Sequence, residues 1–148
     1  MHPAWGTYPE TVLHFPEARL RIDLRRSVSP ADLGALAGLG LTGPFGVVTA
    51  CDTMGRALEP SVNSRLTAVL TAQVLERYPG ARLAHGISAD GAHIERGWAI
   101  PAPLEEVRSL AARFFQNAIF WFEDGAFRIV PVLAPFPPLQ LPVPSAAP

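Results

Sequence analysis

Residues 82–100 read RLAHGISADGAHIERGWAI, and this stretch decides the architecture. Asp90-Gly91 is a dipeptide that favours a tight reversal between two strands. With a two-residue turn there, Ser88 faces His93, Gly86 faces Glu95 and Ala84 faces Gly97. Side chains alternate across a strand, so these six share one face. Ala84, Gly86, Gly97 and Ala99 then make a floor of small residues, with His93 and Glu95 standing above it. The other face carries Leu83, His85, Ile87, Ile94, Arg96 and Trp98.

Working outward, residues 11–15 and 19–24 form a first strand pair about the turn at Pro16, Glu17 and Ala18. Leu20, Ile22 and Leu24 alternate with Arg19, Arg21 and Asp23, the period of a half-buried strand. Ser29, Pro30 and Asp32 start a short helix that Gly38 and Gly40 end. Residues 45–50 are a third strand. Residues 61–78 carry Leu66, Val69, Leu70 and Val74 at helical spacing and stop at Pro79-Gly80. A third helix opens at Pro103, with Glu105 and Glu106 in its first turn and Arg108 and Arg113 later, as the helix dipole favours. A last hairpin joins residues 118–122 to 127–132 across Asp124-Gly125.

The order is ββαβαββαββ. Strands joined by tight turns are antiparallel. The expected fold is therefore α+β: a two-layer sandwich of a mainly antiparallel sheet of about six strands, with three helices largely on one face. Residues 1–132 read as a single α+β domain. Residues 133–148 read as a proline-rich C-terminal tail, packed on the body or loose, because proline cannot donate to a ladder or continue a helix.

The chain has 148 residues, 49% of them hydrophobic, and a net charge of −1. That composition suits a packed core. It does not suit a broad phosphate-binding footprint, so no nucleic acid is expected. No apolar run is long enough to span a bilayer, so no membrane partner is expected either. The first ten residues lack a basic run followed by an apolar stretch, and Cys51 is the only cysteine. A cytoplasmic location is the expectation.

His93 and Glu95 are the candidate catalytic pair: an imidazole beside a carboxylate can exchange protons with a bound molecule. The bland alternative is a solvent-facing pair at a sheet edge. The loop after the third strand offers Asp52 and Arg56 for polar recognition, and Gly55 for close backbone approach. It is no P-loop, since the chain has no lysine. The alternative there is a plain turn about Asp52. Asn63 either satisfies backbone donors in the first turn of its helix or is a buried amide that needs partners. Gln116 projects into the body. Asn117 suits either a ligand contact or the left-handed residue that ends the third helix. For a metal, His85, Asp90, His93 and Glu95 are the available donors. His85 faces away from His93, which leaves no compact set of three, and no metal is assigned. Cys51 reads as a buried, inert thiol.

Val48-Thr49-Ala50, the Asn63 helix, the hairpin at residues 86–91 with Glu95 after it, and the run at residues 112–120 (ARFFQNAIF) resemble an uncharacterised bacterial family, domain of unknown function 3293. The resemblance covers about residues 45–130, and the run Gln116-Asn117-Ala118-Ile119-Phe120 is its most specific part. The family has Asn-Pro where this chain has Asp52-Thr53. The resemblance implies no activity. It marks Thr49, Asn63, Glu95, Gln116 and Asn117 as family-like polar positions.

Two functions follow as expectations. One is a small polar-ligand site, nucleotide-like or hydroxylated in its preference. His93 and Glu95 would do the proton chemistry there, and Asp52, Asn63, Gln116 and Asn117 the binding. The other is a non-catalytic protein-interaction module that uses a sheet edge or the proline-rich tail. No motif names a cofactor.

Overall fold

The computed structural model describes residues 1–52 and 56–144. The elements are β1 (Val12–Phe15), β2 (Leu20–Asp23), α1 (Pro30–Gly38), β3 (Phe45–Thr49), α2 (Pro60–Arg77), β4 (Arg82–Leu83) and β5 (His85–Ile87). They continue with β6 (Ile94–Glu95), β7 (Gly97–Ile100), α3 (Leu104–Arg113), β8 (Ala118–Glu123), β9 (Ala126–Pro131) and β10 (Leu139–Gln140). The α+β class holds. The strands, however, divide between two antiparallel sheets, one in the order β2-β1-β5-β6 and one in the order β10-β9-β8-β3-β7-β4.

The central hairpin makes the division. Its register is the expected one: Gly86 pairs with Glu95, Ile87 with Ile94 and Leu83 with Trp98. Yet each arm breaks once, at Ala84 and at Arg96, so the hairpin tip joins one sheet and its base joins the other. Such sheet-switching strands make the corners of packed sheets. Gly97 permits the corner. A Cβ there would lie 2.5 Å from the Val48 carbonyl oxygen and 2.9 Å from that of Ala84.

The hairpin tip is looser than a two-residue turn. Gly91 alone has positive φ, at 75°, whereas the type I′ turn that Asp-Gly favours needs two such residues. Ser88 Oγ donates to Asp90 Oδ1 at 2.6 Å, and Ala92 N donates to the same oxygen at 2.9 Å. The Asp90 carboxylate thus organises a wider loop. The two-residue turn occurs instead between β8 and β9, where Asp124 (φ 53°) and Gly125 (φ 78°) both take the left-handed conformation.

The six-stranded sheet is buried on both faces, which is why β3 reads as a nearly continuous apolar run. Phe45, Val47, Phe122, Phe127 and Ile129 face the other sheet through Leu13, Phe15, Leu20 and Ile22. Val48, Trp98, Ile100, Ile119 and Trp121 face α2 and α3 through Leu70, Val74, Val107 and Leu110. The expectation of helices largely on one face fits α2 and α3 only. Helix α1 packs near β2, and its Leu36 joins the core between the sheets. Ser29 and Asp32 cap it reciprocally, each side chain accepting from the other's backbone amide.

The proline-rich segment packs on the body through its described residues. β10 pairs with β9, Leu141 is buried, and the Pro137 carbonyl accepts from Trp5 Nε1 at 3.1 Å.

Candidate functional site

A cavity of about 480 Å³ opens between the two sheets at the end where the hairpin tip swings away from β3. Its walls include Leu13 of β1, Val47 and Thr49 of β3, Gly86 of β5, Glu95 of β6, and Ala118 and Phe120 of β8. Residues 7–11, which precede β1, close one side with Tyr8 and Glu10.

The small-residue floor is only partly part of this cavity. Gly86 lines it, and a Cβ there would meet nothing closer than Thr11 Cγ2 at 3.7 Å. Ala84 and Ala99 are instead buried in the core between the sheets, and Gly97 serves the corner.

His93 and Glu95 lie on the same side of the hairpin, with His93 Nε2 3.8 Å from Glu95 Oε1. Asp52 comes to them from the loop after β3, its Oδ2 3.2 Å from His93 Nε2. The Asp52 backbone is left-handed (φ 47°), a conformation that Asp tolerates better than most residues. Its Oδ1 accepts from Leu58 N at 2.9 Å and from Asn63 Nδ2 at 2.8 Å, and its own N donates to Asn63 Oδ1 at 2.9 Å. These bonds occupy Oδ1 and leave Oδ2 to face His93.

Burial is the main influence on Glu95. It pushes the carboxyl above its ordinary 4.5, against the pull of His93 and with the help of the Asp52 charge. Burial acts on Asp52 in the same sense, but the Leu58 amide, Asn63 and His93 together hold its carboxyl below the usual range. Two carboxylates in one cavity are thus driven apart, one toward the acid form and one toward the anion. Pairs separated in this way characterise acid–base sites. Tyr8 is also raised, first by burial and then by Glu95, with Asn117 acting the other way, so its phenol stays a neutral donor.

Gln116 is buried, with all its hydrogen-bonding ends engaged by the protein. Its Oε1 accepts from Thr49 Oγ1 at 3.0 Å, and its Nε2 donates to the carbonyls of Cys51 and Phe114 at 3.2 Å each. The turn after α3 delivers it. Gln116 N reaches back to Ala111 O and Phe115 N to Ala112 O, with Phe115 left-handed at φ 53°. Phe115, not Asn117, is therefore the left-handed residue that ends the helix.

Of the six residues singled out from sequence, Asp52, His93, Glu95, Gln116 and Asn117 line the cavity. Asn63 stands behind Asp52, off the cavity wall. Arg56 is exposed. Gly55 and Thr53 lie outside the described residues. Sequence reasoning missed Tyr8, Glu10 and Thr11, whose short proline-containing segment has no periodic pattern to announce it. It also left Asp52 out of the count of metal donors. Asp52, His93 and Glu95 do form a compact set, with one donor atom of each within 4.8 Å of the others. Cys51 is buried, bonded to Thr67 Oγ1 at 3.6 Å, and burial raises its thiol pKa, as suits an unreactive sulfur.

A family model described as a protein of unknown function (DUF3293) matches residues 48–119, which bears out the resemblance read from the sequence. The match runs from β3 into β8 and includes Asp52, Asn63, His93, Glu95, Gln116 and Asn117. No curated protein and no solved structure matches the chain. Among the described residues, no helix is long and apolar enough to cross a membrane.

Proposed function

We propose that the protein binds, and through Glu95 and His93 chemically processes, a small polar molecule of hydroxylated or nucleotide-like character in the cavity between its sheets. One observation carries this reading: Asp52, His93, Glu95, Tyr8 and Asn117 come from four separate stretches of chain and meet on a single concavity. A volume of about 480 Å³ is the size that small-molecule sites use.

The roles follow from the geometry. Glu95, favoured in its acid form by burial, is the proton-exchanging group, and His93 is its neighbour at the mouth. Tyr8 and Asn117 supply neutral hydrogen bonds to hydroxyl or carbonyl groups. Phe120 and Val47 supply apolar wall. Asn63 and Gln116 are positioning residues: one aims Asp52, the other ties the end of β3 to the turn after α3. A cytoplasmic setting goes with the reading and rests on the single buried thiol. The interaction-module alternative has less support, since residues 137–141 are engaged by the protein's own Trp5, Phe127 and β9.

A thermal-shift screen with a library of polar metabolites tests the proposal. A ligand at 100 times its dissociation constant adds about 2.7 kcal/mol of stability. The expected result is a saturable rise in Tm for one chemical class, reduced in Glu95→Gln and in Asn117→Ala. A hit that both variants bind as tightly as the parent would remove the cavity as the site.

A further inference from the structure

We infer that Asp52, His93 and Glu95 form a binding site for one divalent transition-metal ion, of the Zn²⁺ or Mn²⁺ type. The donors are one imidazole nitrogen and two carboxylate oxygens, from separate strand and loop segments: Asp52 Oδ2 and Glu95 Oε1 lie 3.2 Å and 3.8 Å from His93 Nε2. An ion about 2.1 Å from each donor holds neighbouring donors roughly 3 Å apart, and the three donor atoms here lie within 4.8 Å of one another, so side-chain adjustment has to draw them closer to close the set. Imidazole favours zinc, iron and nickel, and carboxylates favour manganese and magnesium; the mixed set selects ions acceptable to both.

Two further observations point the same way. The first is the support behind Asp52. Its Oδ1 is saturated by Leu58 N and Asn63 Nδ2, which fixes Oδ2 toward His93. Carboxylate ligands of metals are commonly held in this manner. The second is Glu95 itself. Its side chain is only 26% exposed, and among the described residues its one ion-pair neighbour, His93, stands at 3.8 Å. A largely buried carboxylate is costly unless a cation meets it. The cavity beyond the three donors leaves room for water or a ligand atom to complete the coordination.

The inference stands on the cavity's geometry and shares His93 and Glu95 with the reading above. With the ion bound, these two act as its ligands, and a polar molecule entering the cavity meets the ion rather than a bare carboxylate.

Calorimetric titration of the chelator-treated full chain with Zn²⁺, and separately with Mn²⁺, tests it. The expected result is one ion per chain. Binding should weaken at least tenfold in each of His93→Ala, Glu95→Gln and Asp52→Asn, and stay unchanged in His14→Ala, whose ring faces His85 between β1 and β5. His93 is 59% exposed, so His93→Ala is the variant least apt to unfold, and its Tm without metal checks this. Neither ion binding the parent, or binding unaltered in His93→Ala and Glu95→Gln, would overturn the site. Asn117→Ala separates the two proposals: it weakens an organic ligand and leaves the ion titration as it was.

Discussion

Asn63 and Asp52 exchange a reciprocal pair of hydrogen bonds across the loop between β3 and α2. The Asp52 amide donates to Asn63 Oδ1 at 2.9 Å, and Asn63 Nδ2 donates to Asp52 Oδ1 at 2.8 Å. Through this pair, a residue off the cavity wall sets the direction of a carboxylate on it. Asn63→Ala breaks both bonds and leaves a left-handed Asp52 with less to hold it. The expected loss is about 1–3 kcal/mol in urea unfolding, together with weaker binding at the cavity. Unchanged stability and unchanged binding would show that Asp52 is held by other contacts.

Glu95 makes the pH dependence readable. Burial, aided by the Asp52 charge, raises its carboxyl above 4.5 in the fold, despite His93. A carboxyl raised on folding contributes stability that is complete below the unfolded value of 4.5 and is lost as pH climbs through the higher folded value. Glu95→Gln keeps the shape and removes the titration. With chelator present, the Tm of Glu95→Gln relative to the parent should rise as pH goes from roughly 4 to roughly 7. A constant difference across that range would place the Glu95 carboxyl in water-like surroundings.

Gln116 joins Thr49, Cys51 and Phe114 from a buried position. Gln116→Ala strands the Thr49 hydroxyl and two carbonyls, for an expected cost of about 2–3 kcal/mol. Gln116→Glu returns the acceptor but not the donors, so it should not restore the parent Tm. Full restoration would mean that the two carbonyl contacts contribute nothing.

The two buried glycines of the six-stranded sheet differ in what surrounds them. At Gly46 an added methyl meets side chains, with Val107 Cγ1 at 2.6 Å and Trp121 at 3.2 Å. At Gly97 it meets the carbonyl oxygens of Val48 and Ala84, which belong to the sheet corner. Gly46→Ala should cost about 1–3 kcal/mol, the usual range for an overpacked core. Gly97→Ala should cost more and should also reduce binding, because the corner places the hairpin tip over the cavity. Equal effects would mean that the corner yields as readily as side chains do.

Much of this was legible in the chain. Period-two alternation and turn chemistry are local, and they set the register of Gly86 on Glu95 and the capping of α1 by Ser29 and Asp32. The second sheet was not legible, because nothing in residues 82–100 marks Ala84 and Arg96 as breaks; those follow from competition between β1 and β3 for the same hairpin. The clustering of Asp52 with His93 escaped for a related reason. It depends on how a loop folds back over a strand more than 40 positions later, a distance that periodicity does not carry. The N-terminal wall around Tyr8 is held by tertiary packing, with its ring edge-on to Phe120 at 6.2 Å.

The most direct test of the cavity reading is the footprint of a library hit on the amide spectrum of the isotope-labelled protein. The expected result is saturable shifts at the Asn117 side-chain amide and at the backbone amides of Thr49, Gly86 and Glu95, with little change near Arg128 on the far side of β9. Shifts centred away from those four positions, or spread evenly over the surface, would contradict it.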